Sequence, residues 1–79
     1  MDKVLILEKV VKISNLQIGM SENNNTPPET ALYDLGMDSL DHIEVIMCLE
    51  EEFEIEIDDD EAMKAKTIDD LVVLVENLL

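Results

Sequence analysis

Three side chains in this sequence could do chemistry of their own, Ser39, His42 and Cys48, and they sit inside a dense field of carboxylates. Residues 13–63 contain fifteen acids and no Lys or Arg. Calcium is the first chemistry such a run suggests. A calcium loop of the helix–loop–helix kind needs oxygen ligands at alternating positions, a glycine at the sixth and a glutamate at the twelfth. Counting from Asp58, those positions hold Met63 and Asp69, so the pattern fails. One His and one Cys are too few for a zinc centre, and no metal site is expected. Cys48 has no basic neighbour to activate it and reads as a small helix side chain.

Nucleophilic catalysis fails on the same count. Asp38-Ser39-Leu40 shares three residues with the Gly-Asp-Ser-Leu hydrolases, but Met37 stands where their glycine does. A serine nucleophile needs a base, a third group to orient that base, and an oxyanion hole. His42 is the single histidine, and a half-buried position at the core edge suits it better than catalysis. No catalytic residue is assigned, and the chain is not expected to be an enzyme. Ser39 keeps two readings. Gly36 permits a turn and Ser39 opens a helix, so the hydroxyl could cap that helix. It could equally anchor a phosphodiester, because the N–H groups and dipole of a helix start favour an anion.

Several helices must position these residues. Over 2–17, Ile6, Val10 and Ile13, flanked by Leu7 and Leu16, form an apolar stripe, with Glu8, Lys9, Lys12 and Asn15 away from it. Gly19 stops this helix. Residues 20–38 form a long connection rich in Asn and interrupted by Pro27 and Pro28, pinned by Leu32, Tyr33 and Leu35. The second helix runs from Ser39 to Phe53, with Val45, Ile46, Leu49 and Phe53 toward the core. Asp41, Glu44 and Glu51 lie opposite, and Leu40 and Met47 share that outer side, which suits a face that docks protein. Ile55-Glu56-Ile57 alternates as an extended link. A short helix follows near 60–65. Thr67 caps the last helix, with Asp70 at the capping-box position, and Ile68, Leu71, Val72, Val75, Leu78 and Leu79 form its stripe. The expected fold is all-α: a small bundle of three main helices and one short one, in a single domain over 1–79.

Composition narrows the partners. The chain has 79 residues, 20 acids against 5 Lys, a net charge of −15 and 47% hydrophobic residues, so it can fold but repels phosphate backbones. Nucleic acid and anionic membrane are disfavoured, and proteins with basic patches are favoured. No apolar run is longer than Leu71–Val75, far below the ~20 residues that span a bilayer. One cysteine and no secretory pattern at the start lead to an expected cytoplasmic location.

At Asp34-Leu35-Gly36-Met37-Asp38-Ser39-Leu40-Asp41 the sequence resembles the acyl carrier proteins. The likeness continues through Ile43–Met47, Leu49–Phe53, Ile57, Asp59–Ala62 and Thr67-Ile68 into the last helix, and is weakest over 19–31. The resemblance implies that Ser39 receives 4′-phosphopantetheine from coenzyme A and carries acyl groups as thioesters on it. It implies a monomeric shuttle of type II fatty acid synthesis, loaded by a phosphopantetheinyl transferase (a holo-acyl-carrier-protein synthase). Its clients would be ketosynthases, reductases, dehydratases and acyltransferases with basic docking patches. A dedicated carrier for polyketides, lipid A-type acylation or D-alanyl transfer is the alternative, and a purely structural acidic module is a more distant one. Carried over by alignment, the partner-binding residues are Asp38, Leu40, Asp41, Glu44, Met47, Glu50, Glu51 and Asp59. The acyl chain would be bordered by Val45, Ile46, Leu49, Phe53, Ile57, Ala65 and Leu71. Met63 and Ala65 depart from the family pattern, which has a frequent acid and a branched residue there. Ala65 implies a roomier acyl pocket.

Overall fold

The first helix begins at its acid: Asp2 has extended backbone, and its carboxylate accepts the Val4 N–H at 3.0 Å, starting α1 at Lys3. The structure, a computed structural model, describes residues 2–79. Four α-helices follow one another, α1 (Lys3–Gln17), α2 (Ser39–Phe53), α3 (Asp59–Lys64) and α4 (Ile68–Leu78), with a 3₁₀ turn at Leu32–Leu35 between α1 and α2. This is the expected bundle. No strand forms among the described residues, and none of their helices is long and apolar enough to cross a membrane.

Helix boundaries follow from capping. Thr67 Oγ1 accepts the Asp70 N–H at 3.0 Å while the Asp70 carboxylate accepts the Thr67 N–H at 3.1 Å, so α4 starts where the sequence pattern places it. Asp58 caps α3, which carries Asp59, Asp60 and Glu61 in its first turn and Lys64 in its last, in agreement with the helix dipole. Helix α1 packs on α4 and α2, and α3 packs on α4. The core they enclose runs from Ile6 and Val10 through Val45 and Leu49 to Ile68, Leu71, Val72 and Val75.

The long connection is held differently from the sequence expectation. Asn15, placed by periodicity on the outer side of α1, is fully buried. Its side chain donates to the Asn24 carbonyl at 2.9 Å and accepts from the Thr26 hydroxyl at 2.8 Å. A buried amide needs such partners, and the loop's own polar atoms supply them. Beyond it, the chain pairs with the start of α4: Leu32 N–H reaches the Lys66 carbonyl at 2.8 Å and Asp69 N–H the Pro28 carbonyl at 2.8 Å. Leu32 is buried and Leu35 half-buried, as an anchor should be, but Tyr33 is exposed. Leu16, Leu78 and Leu79 are exposed too, at the outer edge of α1 and in the last turn of α4.

Candidate functional site

Gly36 ends the 3₁₀ turn at φ 94°, a backbone conformation that costs other residues strain, and so reverses the chain just before α2. Met37 then sinks into the core with 3% exposure, which fixes where the next residue stands. Asp38 is the N-cap. Its Oδ1 accepts the Asp41 N–H at 2.9 Å, and Asp41 Oδ2 accepts the Asp38 N–H at 3.2 Å. The helix start is thereby capped by carboxylates, and the serine is released from that duty.

Ser39 is the first residue of α2, exposed, and no hydrogen bond within the described residues engages its hydroxyl. The capping reading of Ser39 is thus corrected. Among the described residues, its N–H and that of Leu40 likewise meet no acceptor, as is usual for first-turn amides. A free hydroxyl beside two free N–H groups is an arrangement that fits a covalently attached phosphate, since the N–H groups and dipole of a helix start favour an anion.

From Ser39 a stripe runs along α2. Leu40, Glu44, Met47 and Glu51 fall within one narrow sector of the helix, with Leu40 62% and Met47 58% exposed. Two large apolar side chains thus alternate with two exposed carboxylates on one face. Asp38 is exposed and Asp41 partly so, at the head of this stripe. Gln17, at the end of α1, was not singled out from sequence. Its amide donates to Asp41 Oδ1 at 3.1 Å and also to Glu44, tying two acids together across helices. That amide, together with the Asp38 N–H, holds the Asp41 carboxyl below the usual carboxylate range.

Glu50 and Asp59 stand apart from the stripe but come together across a cleft of about 300 Å³ between α2 and α3. Glu50 has an in-chain task as well, accepting the Ile57 N–H at 2.9 Å and so fixing the link between the two helices. Ile43 and Met63, both exposed, line the same cleft and were not among the expected contacts. Ile43 could have been found from its position three residues after Leu40.

The seven residues expected to border an acyl chain are all in the packed core. Val45, Leu49 and Leu71 are fully enclosed, Ile46 borders the α2–α3 cleft, and Ala65 borders a second groove beside α4. His42 is more deeply buried than expected, at 1% exposure.

Comparisons with known proteins agree with this geometry. Residues 6–75 match the family described as the phosphopantetheine attachment site. Two curated relatives from Brassica napus, both named acyl carrier protein, chloroplastic, are 41% identical over 73 residues. Each alignment covers 92% of this chain and 54% of the relative, so the chain spans about half the relatives' length. The crystal structure of an acyl carrier protein from Thermotoga maritima superposes with a TM-score of 0.84 at 29% identity, covering 99% of this chain and 91% of that one.

Proposed function

We propose that this chain, which belongs to the phosphopantetheine attachment family, carries acyl groups on an arm bound to Ser39 and passes them between the enzymes of type II fatty acid synthesis. The carrying observation is the Ser39 hydroxyl, exposed at the start of α2 and left without a partner among the described residues because Asp38 takes the cap. Once bound, 4′-phosphopantetheine supplies a thiol at the end of a flexible tether, whereas the chain's own thiol, Cys48, is exposed but fixed on α2.

The chain's own residues do the rest. The Ser39 and Leu40 N–H groups face the phosphate, and the carboxylates of Asp38, Asp41, Glu44 and Glu51 attract basic partner surfaces. Leu40 and Met47 give the encounter its apolar contact. Exposed ion pairs are worth ~0–1 kcal/mol each and are screened by salt. They speed encounter more than they tighten it, which suits a shuttle that must let go. Glu50 and Asp59 extend the same negative field around the α2–α3 cleft. Val45, Ile46, Leu49, Phe53, Ile57, Ala65 and Leu71 offer an apolar interior into which a bound chain could withdraw. Since these residues are packed, that withdrawal requires the bundle to open. The chain acts as a carrier and not as an enzyme: the transferase and the client enzymes perform the bond-making steps, in a soluble compartment such as the cytoplasm.

The fatty acid route is supported by the identity to acyl carrier proteins and by the acidic, partly apolar face of α2. Reconstitution tests it. Supplied with malonyl-coenzyme A and purified type II enzymes, the loaded protein is expected to accumulate elongated acyl chains, visible by intact mass. Loading without elongation would point instead to a carrier of another pathway.

A further inference from the structure

Ala65 belongs to two places at once. It is the C-cap of α3, in the turn that joins α3 to α4. Its side chain is 5% exposed and packed in the core, and it also lines the groove of about 220 Å³ beside α4. Leu74 does the same, half-buried against the core on one side and bordering the groove on the other. With Ala62, Ala65 is the smallest side chain of the core. At this point little more than one methyl group separates the interior from the groove, where a branched side chain would thicken the wall.

The charges on the rim of this groove are already committed. Lys64 pairs with Glu61 at 3.6 Å. The Asp70 carboxylate accepts the Lys66 and Thr67 N–H groups at 2.9 and 3.1 Å. Asn77, a neutral amide, completes the rim. The surface left without a partner is apolar: Val73, 41% exposed, together with Leu74 and Ala65. Such a lining favours an uncharged hydrocarbon over a polar ligand. We propose that the groove beside α4 receives the far end of a long acyl chain, which leaves the interior past the Ala65 methyl, so that Ala65 sets the longest chain this carrier shelters. This inference rests on the carrier reading and adds to it a capacity for long chains. A short chain ends inside the bundle and gains nothing from the groove. A long one exchanges water for Val73 and Leu74 at its last methylenes. Ala65 and Val73 are thus residues that set chain length, distinct from the carboxylates that meet partners.

Contacts of the chain's terminal methyl read this directly. The protein is loaded by a phosphopantetheinyl transferase from octanoyl- or hexadecanoyl-coenzyme A carrying an isotopic label on the last carbon, and each adduct is verified by mass. The hexadecanoyl methyl is expected to give NOE cross-peaks to the Val73 and Leu74 methyls, and the octanoyl methyl only to interior residues such as Leu49 and Leu71. Ala65→Ile should erase the Val73 cross-peaks. Should the larger side chain unfold the protein, Val73→Ser gives a second readout, because it changes an exposed residue and leaves the wall as it is. It should lower the melting temperature of the hexadecanoyl form more than that of the octanoyl form. Hexadecanoyl cross-peaks to interior residues alone, or to no residue, overturn the inference and leave the carrier reading intact. So do Val73 cross-peaks that survive Ala65→Ile in a folded protein, or an equal effect of Val73→Ser on both forms. Failure to form either adduct overturns the carrier reading itself.

Discussion

Asp38 caps α2 with the side chain that a serine could have used, and that substitution of roles leaves Ser39 free. Asp38→Ala is expected to cost about 1 kcal/mol in urea unfolding, the usual worth of an N-cap, while Ser39→Ala should leave stability near its starting value. The reverse ranking would return the cap to Ser39. Gln17 sets the titration of its neighbour. Asp41 is held below its ordinary 3.8, first by the Gln17 amide and then by the Asp38 N–H. A lowered carboxyl stabilises the fold above its unfolded value, and that contribution is lost as pH falls through the folded value. Gln17→Met should therefore raise the Asp41 midpoint toward 3.8 in a carboxyl-carbon NMR titration. An unmoved midpoint would remove Gln17 from the site. Sequence could not reveal this contact. Ser39, Leu40, Met47 and the acids of α2 are legible because they share one short segment and one helical face. Gln17 lies 24 positions from Asp41, and its role exists only once α1 packs beside α2.

Each helix ends where local chemistry ends it, and this is why element boundaries could be read so closely. Ser39, Phe53 and Thr67 fall where the sequence pattern puts them, because the capping acids and apolar periods are local signals. The 3₁₀ turn at Leu32–Leu35 and the pairing of Ala31 with Thr67 were not legible, since both depend on the loop meeting the start of α4. Asn15 was misplaced for the same reason: periodicity sees a polar residue, whereas the Thr26 and Asn24 groups that permit its burial come from the loop. One element carries visible strain. Glu54 closes α2 at φ 53°, in the left-handed region that a glycine occupies without penalty. Glu54→Gly is expected to stabilise the protein by about 1 kcal/mol in thermal or urea unfolding, partly by removing an acid from a crowded end. A loss of stability would show that the Glu54 side chain is needed there.

The whole molecule holds its net charge of −15 almost entirely between residues 13 and 63, and the described ion pairs, such as Lys9 with Glu52 at 2.9 Å, are surface contacts. Self-repulsion therefore opposes folding. Added salt should raise the melting temperature while slowing association with basic partner enzymes, two opposite effects of one screening. Mild acidification should also raise it at first. Below the ordinary values of 3.8 for Asp41 and Asp70 and 4.5 for Glu52, stability should fall, because all three are lowered in the fold by hydrogen bonds, from Gln17, the Lys66 N–H and Lys9 respectively. A melting temperature indifferent to both salt and pH would show that charge does not limit this fold. The same charge surrounds the one hydroxyl on which the account turns. Its most direct test is the intact mass of the protein after incubation with coenzyme A and a phosphopantetheinyl transferase. A single phosphopantetheine adduct, mapped to Ser39 and absent from a folded Ser39→Ala variant, is the expected result. An unchanged mass, or an adduct that survives the substitution, would contradict it.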